Sequence, residues 1–151
     1  MSRIAIGCDH RGLALKQLIM PFLKEASYSY QDFGCHSTNP VDYPDIAQKV
    51  GKAVASGEFG LGILICSTGI GMSIAANKIN GIRAALCCSV FAARRARQHN
   101  DANVLCLGGE DVDTKSVLEI VKTFLAIDFE GGRHVPRITK IRTLEGDSSE
   151  Q

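Results

Sequence analysis

The chain has 151 residues, 45% of them hydrophobic and 22% charged, with a formal net charge of +1. That length suits one domain able to bury most of its apolar surface without disulfides. Near-neutral charge argues against non-specific binding to nucleic acid or a membrane surface, and no stretch approaches the roughly 20 apolar residues of a membrane span.

The N-terminal "MSRIAIGCDH" passes directly into a strand-like run with no signal-peptide pattern, so a cytoplasmic protein is expected. "RIAIGC" reads as the first strand. Leu15, Leu18, Ile19, Phe22, Leu23 and Ala26 then recur at the spacing of one helix face. "YSYQDFG" reads as a second strand. Pro44 opens a helix that buries Ile46, Ala47, Val50, Ala53 and Val54. "LGILIC" is a continuous apolar run, as expected in the middle of a parallel sheet covered on both faces. "IRAALC" and "NVLCLG" are the remaining strands, separated by a helix containing "VFAARRARQ", whose Arg94, Arg95 and Arg97 are expected on the surface. The helix after "NVLCLG" carries the stripe Val117, Leu118, Val121, Phe124 and Leu125. Gly131 and Gly132 break the chain before a last amphipathic segment with Ile138, Ile141 and Leu144.

Strands alternating with helices predict an α/β fold, a three-layer αβα sandwich around a Rossmann-like, five-stranded parallel sheet. The predicted organisation is one domain over 1–145 and a frayed tail over 146–151, with no internal repeat and no linker. The cysteines, Cys8, Cys35, Cys66, Cys87, Cys88 and Cys106, lie in apolar segments and have no C-x-x-C pair or zinc spacing. Buried reduced thiols are the expectation for all but Cys66, which stands at the mouth of a glycine-rich turn.

In such sheets ligands sit beyond the carboxyl ends of the strands. Those ends carry "GCDHRG", "ICSTGIG" and "LGGED". Three known loop types fail on spacing. A dinucleotide fingerprint needs Gly or Ala at 74, where Ile74 stands. A Walker loop needs Lys-Ser/Thr after its second glycine, and a C-x5-R phosphatase needs Arg at 72, where Met72 stands. What remains is an amide-rich turn beside a thiol, suited to hold an anion and to favour thiolate as base or nucleophile. Spacing alone leaves open a tight turn with an inert cysteine. Asp9 and His10 follow the first strand at the same sheet edge. His99 falls where its helix ends, a common place for a capping imidazole. Arg133 and Arg137 at i, i+4 could converge on a phosphate or form a solvated basic face.

The motifs "GCDHRG", "DYPD", "ICSTGIGMSIAANKINGIRAALC", "RQHNDANVLCLGG" and "FEGGRHVPR", in this order and at this spacing, resemble the type B ribose-5-phosphate isomerases over nearly the whole chain. The wider family includes allose-6-phosphate isomerases and galactose-6-phosphate isomerase subunits. The resemblance implies a homodimer, sometimes paired into tetramers, with sites shared between subunits and no metal or other cofactor. It implies interconversion of ribose 5-phosphate and ribulose 5-phosphate through a cis-enediolate, a step of the non-oxidative pentose phosphate pathway. It implies Cys66 as the base, Ser67, Gly69, Ile70 and Gly71 as the loop holding the enediolate oxygen, and Thr68 as a proton-shuttling hydroxyl. It implies that His99, acting from the other subunit, and Asp9 open the furanose ring, that Asn100 and Tyr43 line the sugar, and that His10, Arg133 and Arg137 bind phosphate. Many relatives carry Gly at 67 and Arg at 110, where this chain has Ser67 and Glu110, so a weaker phosphate hold is expected. The presence of Cys66, Thr68 and His99 weighs against a non-catalytic phosphosugar sensor. A redox role lacks a resolving cysteine near Cys66 in the sequence.

Overall fold

The computed structural model describes residues 1–110 and 112–146; of the predicted tail over 146–151, Gly146 ends the last helix and the rest lies outside the described residues. The strands are β1 (Ile4–Cys8), β2 (Tyr30–Asp32), β3 (Leu61–Cys66), β4 (Ala84–Leu86) and β5 (Val104–Gly108). The helices are α1 (Leu13–Glu25), α2 (Tyr43–Ala55), α3 (Ile70–Ala76), α4 (Val90–Asn100), α5 (Thr114–Ala126) and α6 (Val135–Gly146). A 3-10 turn over Gly132–His134 leads into α6. The sheet is wholly parallel, in the order β2-β1-β3-β5-β4. The predicted α/β sandwich is therefore the observed fold.

The period-two alternation of the central strands divides the core. Ile4, Ile6, Ile63, Ile65, Leu105 and Leu107 face α1, α4 and α5. Ala5, Leu64, Cys66, Val104 and Cys106 face α2 and α3. Every residue of β3 is buried, because helices cover both of its faces. Each buried Ile or Leu contributes roughly 1.5–3 kcal/mol relative to exposure. The chain turns one way from β1 to β2 and the other way beyond β3. The crevice between the ends of β1 and β3 is thus the switch point where ligands bind in such sheets.

Several expectations change. β2 and β4 are three residues each, shorter than the runs that predicted them. Leu18 and Ala26 face solvent, and Lys16 takes a place in the core instead, its ammonium 2.7 Å from Asp32 and also bonded to the Cys35 carbonyl. A long polar side chain can be buried there because both partners satisfy its head. Arg97 is not a surface residue. Its guanidinium reaches the Ile127 carbonyl at 3.1 Å and Asp101 at 3.4 Å and lies over the Phe124 ring. Cys88 is exposed. On α6 only Ile138 of the expected stripe is buried, with Ile141 and Leu144 exposed. Among the described residues no helix is long and apolar enough to cross a membrane.

Candidate active site

The ends of β1 and β3 and the start of α2 enclose a cavity of 770 Å³ lined by Asp9, His10, Arg11, Tyr43, Cys66, Ser67, Thr68, Ile70 and Gly71 among others. Backbone pairing fixes its floor. The Asp9 amide donates to the Ile65 carbonyl at 3.0 Å, and the Gly109 amide donates to the Cys66 carbonyl at 2.7 Å. The buried Asp9 carboxylate accepts from the amides of Arg11 and Gly12 through Oδ1, at 3.0 and 3.1 Å. His10 Nδ1 accepts from the Val41 amide at 3.3 Å, so a neutral His10 ring carries its proton on Nε2.

Gly69 permits the turn that follows Cys66. Its φ is +79°, and a Cβ there would stand 2.6 Å from Leu86 Cδ1 and 2.8 Å from the Leu107 carbonyl carbon. In this conformation the Gly69 amide donates to Cys66 Sγ at 3.2 Å, an acceptor role that thiolate fills better than thiol. The Ile70 amide donates to Thr68 Oγ1 at 3.2 Å. Two loop amides are therefore directed at the site's own side chains, and Gly71, in the first helical turn, keeps an N–H with no intrahelical acceptor. A Cβ on Gly71 would lie 2.5 Å from the Tyr43 ring, so the missing side chain is what lets that ring close over the loop.

The other expected site residues lie elsewhere in the chain's fold. His99, Asn100, Arg133 and Arg137 line a separate cavity of 400 Å³ together with His134. α4 runs back from the end of β4 to the start of β5. The Asp101 that follows it bonds Arg83, just before β4, through its carbonyl at 2.8 Å and its carboxylate at 3.1 Å. His99 and Asn100 therefore stand at the amino edge of the sheet, while Cys66 stands at the carboxyl edge. His99 does not cap its helix; Asp101 does, with φ +46°. Arg137 donates to the Arg133 carbonyl at 2.8 Å, and both residues line this cavity.

Three residues beside these were missed in the sequence. Arg11 lines the Cys66 cavity and pairs with Glu110 at 2.8 Å. His134 stacks on His99, with ring centroids 4.2 Å apart and planes 17° from parallel. Glu130 Oε2 lies 3.5 Å from His134 Nε2 and 3.9 Å from His99 Nε2. The i, i+4 spacing of Glu130 and His134 was the available signal. Ligand atoms of His99, Glu130 and His134 lie within 4.8 Å of one another. Near-parallel rings cannot both direct in-plane lone pairs at one ion about 2.1 Å away, so a metal would require a ring to turn.

On an α/β fold, one cavity thus holds a thiol in an amide-rich turn with a carboxylate and His10, and the other holds His99, His134, Arg133 and Arg137. The chain belongs to the Ribose/Galactose Isomerase family, whose model matches residues 4–141, and it is an isomerase. It is 46% identical over 145 residues to ribose-5-phosphate isomerase B of Escherichia coli, covering 96% of this chain and 97% of the relative. It is 40% identical to D-erythrulose-4-phosphate isomerase of Pectobacterium atrosepticum, covering all of both chains. The solved structure of Clostridium thermocellum ribose-5-phosphate isomerase B superposes with a TM-score of 0.95 at 51% identity, covering 97% of this chain and 99% of that one.

Proposed function

We propose that this isomerase interconverts ribose 5-phosphate and ribulose 5-phosphate, with Cys66 moving a proton between C1 and C2. The observation that carries this reading is the position of Cys66 Sγ, held 3.2 Å from the Gly69 amide in the cavity that also presents Asp9, His10 and Tyr43. Removing the C2 proton of the open-chain aldose places negative charge on the neighbouring oxygen. Loop donors, with the Gly71 amide foremost, stabilise that enediolate, a contribution of about 10²–10³ in rate for a single donor. Thr68 passes protons between the two oxygens. A positioned thiolate base adds about 10²–10⁴.

Ring opening and phosphate binding fall to residues at the other sheet edge. The two groups complete one site only if a second copy brings its His99, Asn100, Arg133 and Arg137 to the first copy's Cys66 cavity. That separation supports a homodimer with shared sites. Within this arrangement His99 and Asp9 open the furanose, Asn100 and Tyr43 line the sugar, and His10 joins the two arginines on the phosphate.

The test is isomerisation of ribose 5-phosphate by wild type and Cys66→Ala in chelator, with allose 6-phosphate and D-erythrulose 4-phosphate in parallel. Turnover that survives chelation and drops at least about 10²-fold in Cys66→Ala is expected. Activity retained in Cys66→Ala would place the base elsewhere. Turnover confined to another substrate would keep the site and change the assignment.

A further inference from the structure

We infer that His134 and Glu130 are positioning residues for His99, fixing its imidazole by a stacked ring on one face and a carboxylate at its edge. The inference rests on the reading of His99 as the ring-opening residue.

The geometry comes from three separate segments. His99 occupies the last turn of α4, 30% exposed, and an imidazole there would ordinarily sample several rotamers. His134, in the 3-10 turn before α6, is 9% exposed and so immobilised by its surroundings. Its ring forms the surface on which His99 lies, 4.2 Å centroid to centroid. Glu130, just after α5, faces the Nε2 atoms of both rings, and its own backbone is tied to α4 by its amide donating to the Gln98 carbonyl at 3.1 Å. Arg95 Nη1 stands 3.4 Å from that same His99 Nε2. The charged and titratable groups facing His99 are thus Arg95 from α4, Glu130 from the loop after α5, and Arg133 and His134 from the 3-10 turn, with Arg137 of α6 lining the same cavity.

This enclosure has an electrostatic consequence. Burial, followed by His134 and Arg95, holds His99 below its usual value, and Glu130 acts in the opposite direction. A neutral imidazole at working pH can accept the C1 hydroxyl proton of a furanose, and the imidazolium so formed returns that proton to the ring oxygen as it leaves C1. Ribulose 5-phosphate has its O5 esterified and no furanose to open. The reverse reaction closes the same furanose through the same transition state, so damage to this device lowers kcat/KM for both substrates by one factor, as the fixed equilibrium constant requires.

The experiment pairs an NMR titration of His99 with initial rates in both directions, on the full chain and on His134→Phe, His134→Ala and Glu130→Gln. His134→Phe keeps a stacking face and is expected to raise the His99 pKa. Glu130→Gln is expected to lower it. His134→Ala is expected to lower kcat/KM about tenfold in both directions, and His134→Phe and Glu130→Gln to move the acidic limb of the pH profile of kcat/KM with the His99 pKa. Glu130 is half-exposed, so its variant remains a test even if the His134 variants fold poorly. A His99 pKa unmoved within about 0.2 unit by either Glu130→Gln or His134→Phe overturns the inference, as does an acidic limb of the kcat/KM profile that stays put while the His99 pKa moves. A wild-type chain inactive on ribose 5-phosphate overturns the functional reading itself, and the titration separates that failure from a failure of the positioning.

Discussion

The Glu110 carboxylate accepts a 2.8 Å hydrogen bond from the Ser67 hydroxyl, and its other oxygen takes the Arg11 guanidinium at 2.8 Å. Both residues are departures from the pattern the sequence resembles, and the structure joins them. The Ser67 proton is directed to Glu110, so toward a substrate that hydroxyl offers only an acceptor. Arg11, at the cavity rim, has its charge offset by Glu110. The hydrogen bonds from Arg11 and Ser67 hold the Glu110 carboxyl below its ordinary value. The stability this gives is present above the ordinary carboxylate value and is lost as pH falls through the depressed folded value.

Glu110→Gln should therefore uncover Arg11 and lower the KM for ribose 5-phosphate by up to about fivefold, the scale of an exposed pair, with kcat changed less. Glu110→Arg should lower it further. An unchanged KM in both variants would mean that this rim does not feel the phosphate.

Gly69→Ala must hold a side chain at φ +79° against Leu86 and the Leu107 backbone. We expect a stability loss of about 1–3 kcal/mol. We also expect kcat reduced about 10²-fold, because the amide now 3.2 Å from Cys66 Sγ moves. Denaturant melts and steady-state kinetics on the same preparation check both; an active, stable Gly69→Ala would refute the role given to this turn.

Lys16 is 1% exposed and ion-paired to Asp32 at 2.7 Å, which ties α1 to β2. Lys16→Ala removes the cation and leaves the Asp32 carboxylate with the Gly34 amide and the nearby His36, so a loss of about 2–3 kcal/mol is expected in urea unfolding. Lys16→Met fills the same space and should recover part of it. A loss below about 1 kcal/mol in Lys16→Ala would show the pair to be dispensable.

Thiol labelling should follow burial. Burial pushes Cys8 up to about 12 and Cys87 up to about 11, and it also raises Cys106. Thiolate is the reacting form. A maleimide at neutral pH should therefore modify Cys88, the one exposed thiol among the described residues, and leave these three intact by mass spectrometry. Early labelling of Cys8 or Cys106 would contradict the packing of the β1 and β5 core.

The apolar run "LGILIC" and the spacing of Ile46, Ala47, Val50 and Val54 determined the sheet centre and the buried face of α2, because period and hydrophobicity are local properties. The glycines after Cys66 likewise specified the turn, since few other residues adopt its conformation. The sequence could not distinguish Lys16 from a surface lysine or Arg97 from its exposed neighbours. Their burial depends on Asp32, Phe124 and carbonyls contributed by other elements. Glu110 read as a charge opposed to phosphate until the fold supplied Arg11 and Ser67 across 99 and 43 residues of chain. Only the tertiary structure decided that Cys66 and His99 stand at opposite edges of one sheet, because a helix that returns antiparallel to its strand carries its last residues to the far end.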